Sequence, residues 1–251
     1  MLHYTSFYIA LAFVFLTGCA ASRRQAHLAS GQHDHKFTFQ TGEKASQKYL
    51  LYLPESYGKS KKKWPLMLFL HGAGERGDNL ELVKKHGPPQ IAETKTDFPF
   101  ILISPQCPKG KRWTNEKQLE FLSQLLDDLL PKLHVDRSRI YLTGLSMGGY
   151  GTWALAIKRP HTFAAIAPIC GGGDPAQVCK IKQVPVWVFH GGKDRTVPIQ
   201  NSREMVDALR ACGGNVKFTI YPQAYHNSWT ETYNNPELYS WFLRHHLTRG
   251  K

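Results

Sequence analysis

The sequence predicts an α/β domain, a mostly parallel twisted sheet of about eight strands with helices on both faces and no large lid. Three observations predict it. Apolar runs such as Pro65-Leu66-Met67-Leu68-Phe69-Leu70 and Val184-Pro185-Val186-Trp187-Val188-Phe189 are continuous rather than alternating, as in strands buried on both faces. Strand-like runs take turns with helix-like ones, which gives right-handed crossovers. The residues with reactive side chains cluster just after strand-like runs, where open α/β sheets bind their ligands.

In chain order, strands are expected at 36–40, 48–53, 66–71, 100–104, 140–143, 164–169, 184–190 and 216–221. The first two alternate more, as an antiparallel edge does. Helices are expected at 116–133, 148–159, 202–211 and 236–247. The first of these carries Leu119, Leu122, Leu125, Leu126, Leu129 and Leu130, a spacing near 3.6. The third ends in Cys212-Gly213-Gly214, a C-terminal stop signal. The 251 residues, 42% hydrophobic and 20% charged, suit one catalytic-sized domain over 36–251.

Two segments are expected to precede that domain. Residues 7–16 are apolar and are followed by Leu16-Thr17-Gly18-Cys19, too short for a stable spanning helix and shaped like a signal peptide over 1–18. The Leu-Thr-Gly-Cys ending resembles the lipobox of bacterial lipoproteins. That resemblance implies export, acylation at Cys19 and a membrane anchor through the lipid; a plain secretory signal is the rival reading. Residues 19–35, rich in Ala, Ser, Arg, Gln and His, are expected to be a flexible tether. If Cys19 carries lipid, Cys107, Cys170, Cys179 and Cys212 remain. Export permits disulfides, a Cys170–Cys179 bridge is sterically easy, and the pairing stays open. No Cys pair has zinc-ligand spacing, so no metal is expected. The net charge of +13 is spread along the chain with one cluster at 59–63. It is compatible with acidic polysaccharide or anionic headgroups; no nucleic-acid recognition module is present.

The chemistry centres on Gly144-Leu145-Ser146-Met147-Gly148, a G-x-S-x-G between a strand and a helix. That context is what a nucleophile elbow requires. A Ser hydroxyl needs a base, and the base an orienting acid, in the order Ser, acid, His. His226 follows the last strand and is the expected base. His71 and His190 precede Gly at strand ends and read as structural, His161 as a helix cap, and His245 and His246 as surface. Asp194, in His190-Gly191-Gly192-Lys193-Asp194, is the expected acid, with Asp174 its rival. An oxyanion needs donors: the Met147 N–H, and a second from 71–78, assigned to Ala73 to within one residue. Trp113 and Trp229 are candidates to line the cleft, and Arg76 to meet a substrate carboxylate or to pair with Glu75 or Asp78.

Residues 71–79, Ser104-Pro105-Gln106-Cys107-Pro108 with Trp113, the elbow, the Asp194 loop and His226-Asn227-Ser228-Trp229 together resemble bacterial α/β-hydrolase esterases of the predicted peptidase and phospholipase/carboxylesterase group, related to feruloyl and acetylxylan esterase domains. The resemblance covers about residues 37–248. It implies the α/β-hydrolase fold, a serine esterase without cofactor or metal, an open cleft, and acetyl or feruloyl esters of polysaccharide as substrates. A serine peptidase on the same fold and a non-enzymatic surface lipoprotein are the alternatives.

Overall fold

The computed structural model describes Met1 and residues 28–247. The expected signal peptide, Cys19 and most of the expected tether lie outside the described residues. One sheet of eight strands organises the chain, in the order β1-β2-β4-β3-β5-β6-β7-β8. The strands are β1 (Gly31–Thr41), β2 (Glu43–Leu53), β3 (Trp64–Leu70), β4 (Ile101–Pro105), β5 (Val135–Leu145), β6 (Ala165–Ile169), β7 (Val186–Gly191) and β8 (Val216–Tyr221). β1 pairs antiparallel with β2, and β2 with β4; all other pairs are parallel. This is the α/β-hydrolase architecture, without a large lid among the described residues.

The continuous apolar runs do what two-sided burial demands. Along β3, Leu66, Leu68 and Leu70 enter one core cluster while Met67 and Phe69 enter the other. The first cluster takes α2 (Glu116–Leu129), α3 (Met147–Lys158) and α4 (Gln200–Ala211), through Phe121, Leu125, Trp153, Leu155, Met205 and Leu209. The second takes α1 (Gly87–Ala92), α5 (Trp229–Asn234) and α6 (Pro236–Arg244), through Ala92, Tyr233, Leu238 and Phe242. Each fully buried side chain of this size contributes about 2 kcal/mol, so the sheet centre is the rigid part of the molecule and the loops at its carboxyl edge are fixed at both ends.

One expectation is corrected and one open pairing is resolved. β1 begins at Gly31, not residue 36, so residues 31–35 belong to the sheet rather than to a tether. The edge strand leaves His33 and Asp34 exposed while His35 stacks on Tyr49 at 5.3 Å, which hides the strand from an apolar-period criterion. The disulfide joins Cys179 to Cys212, with Cα atoms 5.9 Å apart, and leaves Cys107 and Cys170 as buried free thiols. Cys170 is therefore not tied to Cys179: its thiol is turned towards the site described next.

Candidate active site

Ser146 occupies the turn between the end of β5 and the start of α3, with φ 52° and ψ −115°. A non-glycine residue there stores about 1–3 kcal/mol of strain, and the surroundings hold it in place. Its N–H donates to Ile169 O at 2.9 Å. A Cβ on Gly144 would lie 2.5 Å from Gly148 O and 2.7 Å from Leu70 O, and one on Gly148 would overlap Leu70 O outright. The two motif glycines are thus required by the closeness of the elbow to β3, as the sequence motif anticipates.

The structure brings Ser146, His226 and Asp194 together. His226 Nε2 lies 2.9 Å from Ser146 Oγ, and His226 Nδ1 lies 2.7 Å from Asp194 Oδ2. A carboxylate accepts, so Nδ1 carries the proton and Nε2 presents its lone pair to the serine hydroxyl. The Asp194 side chain has no exposed surface; its Oδ1 accepts the N–H groups of Thr196 and Val197, both at 2.9 Å. Those bonds fix the carboxylate's rotation and so the plane of the imidazole. Asp174, the rival, is exposed and caps its own loop through the Ala176 N–H.

His190, read from sequence as structural, also serves this carboxylate. Its Nε2 lies 2.9 Å from Val197 O and 3.3 Å from Asp194 Oδ2, while Nδ1 lies 2.8 Å from Ser202 Oγ. Burial holds its pKa down, so it is a neutral wall behind Asp194. Cys170 is the neighbour the sequence did not reveal. Its thiol stands within 4.8 Å of ligand atoms of Asp194 and His226. Burial pushes that thiol up to about 12, so it stays protonated. With the imidazole and carboxylate bound to each other, this donor set fits a proton relay better than a metal.

Beyond the elbow, Met147 opens α3 and Ala73 opens a 3-10 turn over Ala73–Glu75. First-turn N–H groups have no intrahelical acceptor, so both are free to donate. The loop bearing Ala73 is held by His71, whose Nδ1 lies 2.6 Å from Gly72 O and whose Nε2 accepts the Cys107 N–H at 2.9 Å. Burial lowers the His71 pKa to about 4. Gln106 Nε2 adds two bonds of 2.8 Å, to Glu75 O and Asn79 O.

The three expected cleft residues fare differently. Trp113 is fully buried; its indole N–H donates to His71 O at 3.0 Å and its ring meets the His71 ring edge-on. It supports the loop from beneath and does not line the cleft, a correction explained by the size of an indole that the core can absorb whole. Trp229 is half-buried with its ring perpendicular to His226, centroids 5.2 Å apart. Arg76 pairs with neither Glu75 nor Asp78: its Nε donates to Ala73 O at 2.9 Å and an Nη to Lys111 O at 3.3 Å. A recess of about 710 Å³ lined by Ile91, Phe98, Tyr233 and Tyr239 opens among α1, α5 and α6, but contains no nucleophile–base pair.

Comparisons with known proteins agree with this picture. The family model for phospholipase/carboxylesterase matches residues 103–235, just over half of the chain. The chain is 26% identical over 190 residues to the probable feruloyl esterase C of Aspergillus niger, covering 74% of this chain and 69% of that protein. It is 30% identical over 141 residues to a bifunctional acetylxylan esterase/xylanase of Neocallimastix patriciarum, 54% of this chain but only 20% of that protein. Among solved structures, a thermostable esterase superposes with a TM-score of 0.73 at 36% identity, covering 85% of this chain and 63% of that one. The feruloyl esterase module from Clostridium thermocellum, solved with sinapinate, gives 0.61 at 18% identity over 80% of this chain and 83% of its own, a likeness of fold alone. The chain belongs to the phospholipase/carboxylesterase family of α/β-hydrolases.

Proposed function

We propose that the protein is a serine carboxylic-ester hydrolase working through an acyl-enzyme intermediate, with acetyl or feruloyl esters of polysaccharide as its substrates. The observation that carries this reading is the continuous hydrogen-bonded line from Ser146 Oγ through His226 to Asp194, at 2.9 and 2.7 Å, at a strained turn. His226 Nε2 takes the hydroxyl proton as Ser146 Oγ attacks the ester carbonyl. The N–H groups of Met147 and Ala73 receive the negative charge of the tetrahedral intermediate. Collapse expels the alcohol, which takes its proton from His226. Water, deprotonated by the same imidazole, then releases the acid. Asp194 holds the productive tautomer throughout and stabilises the imidazolium. The polysaccharide reading draws on what the relatives are named for, an esterase of feruloyl groups and one of acetylxylan.

The test is a screen of nitrophenyl acetate, acetylated xylan and feruloylated esters with the wild type and Ser146→Ala. The variant is expected to lose on the order of a millionfold in kcat while keeping the wild-type unfolding transition. Full activity in a folded variant would end the assignment. We also propose that the chain is exported and anchored to a membrane by lipid on Cys19, on the strength of Leu16-Thr17-Gly18-Cys19 after an apolar run. Blocking signal peptidase II is expected to accumulate an unprocessed precursor, and unchanged processing under that block rejects the anchor.

A further inference from the structure

β1 closes one side of the sheet and β8 the other, and the two edges are built differently. An edge strand presents unpaired N–H and C=O groups, so proteins that remain single blunt their edges with charges or cover them. β1 is blunted in both ways. Gln124 of α2 clasps the free groups of Gln40: the Gln40 N–H donates to Gln124 Oε1 at 3.2 Å, and Gln124 Nε2 donates to Gln40 O at 2.8 Å. Counting back by twos, the residues whose backbone faces the same open edge include Asp34 and Lys36, both exposed.

β8 lacks this protection. It runs Val216-Lys217-Phe218-Thr219-Ile220-Tyr221 without a proline and pairs with β7 from end to end without a bulge. Asn215 O accepts the Val186 N–H, and Tyr221 O accepts the Gly192 N–H. Backbone groups alternate in direction along a strand, so Lys217 and Thr219 also face β7, while Val216, Phe218 and Ile220 turn their N–H and C=O groups outward. No further strand meets them among the described residues. The three side chains are half-buried, and Ile220 joins neither of the two large core clusters. Lys217 is the one charge on the strand. Its ammonium lies 3.6 Å from the centre of the Trp187 ring, drawn back over its own sheet instead of guarding the edge.

We propose that β8 pairs antiparallel with β8 of a second copy of this chain, about a twofold axis through Phe218, so that two eight-stranded sheets become one. The strand is complementary to itself in that register. Phe218 faces Phe218, Val216 faces Ile220 and Lys217 faces Thr219: aromatic on aromatic, β-branched on β-branched, and no like charges opposed. A register centred on Val216 or Ile220 would run half of each strand past the end of the other. α4 packs beside β8 and comes to the same interface. It exposes Arg203 and Arg210 together with Glu204 and Asp207, so the net charge of +13 is not concentrated there. The contact uses the side of the sheet, which leaves the carboxyl edge bearing Ser146 open in both copies.

The full chain is tested in membranes with single cysteines. Phe218→Cys sets two thiols across the axis with Cα atoms about 5.5 Å apart, within the span of a disulfide. Val216→Cys sets them about 14 Å apart, outside it. Mild thiol oxidation is expected to double the mass of Phe218→Cys on a non-reducing gel and to leave Val216→Cys and the wild type single. A second arm exchanges charges in the detergent-solubilised chain. Val216→Lys combined with Ile220→Lys opposes ammonium groups across the interface and is expected to raise the dimer dissociation constant at least about tenfold. Val216→Glu combined with Ile220→Lys is expected to bring it back towards the wild-type value. Positions 216 and 220 of one chain are about 14 Å apart, so that rescue can come only from a second copy. A wild-type unfolding transition shows that each variant folds. A monomeric wild type, equal cross-linking at positions 216 and 218, a cross-linked product of any other mass, or no difference between the two charge combinations overturns the proposal.

Discussion

Asp194 shows how much a single side chain decides here. Its Oδ1 is occupied by two backbone N–H groups, and its Oδ2 by His226, with His190 at 3.3 Å. Asp194→Asn keeps an acceptor for Thr196 and Val197 but puts an amide N–H₂ against His226 Nδ1. Two donors cannot face each other, so the imidazole must move its proton to Nε2, where it faces Ser146 Oγ and can no longer accept. The expected result is a fall of about 10⁴-fold in kcat on nitrophenyl acetate with little change in the urea midpoint, because the backbone bonds survive. A loss of under about tenfold would mean that Asp194 does not set the tautomer. The contrast with Cys170 is instructive. That thiol stands within 4.8 Å of ligand atoms of Asp194 and His226, yet burial keeps it protonated, so proximity without the right charge state leaves it a bystander.

At the scale of elements, what the sequence made legible and what it hid follow one physical rule. Strands buried on both faces write themselves as apolar runs, so β3, β4, β6 and β7 fall within two residues of their expected bounds. Sharp turns that forbid a Cβ write themselves as glycine, which is why the elbow at Gly144 and Gly148 could be placed beforehand. An exposed edge writes nothing distinctive, and the first half of β1 was read as a tether. The six-residue helices α1 and α5 were also invisible, being too short to show a period. Contacts between segments distant in the chain leave the weakest trace. Nothing in the spacing favoured Cys179–Cys212 over a bridge from Cys170, and only nearness to His226 in the chain set Trp229, which the core half leaves out, apart from Trp113, which it absorbs. The triad escaped this limit because its members come in a fixed chain order, each just past a strand end.

For the molecule as a whole, buried histidines set a direction for stability against pH. His71 has a folded pKa of about 4 against 6.5 in the open chain, and His190 is depressed in the same direction. Between those limits the unfolded chain binds more protons than the folded one, so stability must rise with pH there and fall on acidification. The His71 contribution is whole above about pH 6.5 and is lost progressively down to about pH 4, an effect of about 3 kcal/mol. Self-repulsion acts in the same direction: a chain already at +13 at pH 7 gains further positive charge as carboxylates and other histidines take up protons. Salt separates the two. Repulsion between surface charges is screened within about 3 Å at 1 M ionic strength, whereas the desolvation of a buried imidazole is not. Urea unfolding between about pH 7 and pH 4, at low and at high salt, is therefore expected to show a loss of stability on acidification that high salt reduces but does not remove. If salt removes it entirely, the buried histidines carry none of the pH dependence, and the hydrogen bonds assigned to neutral His71 beneath the Ala73 loop are wrong.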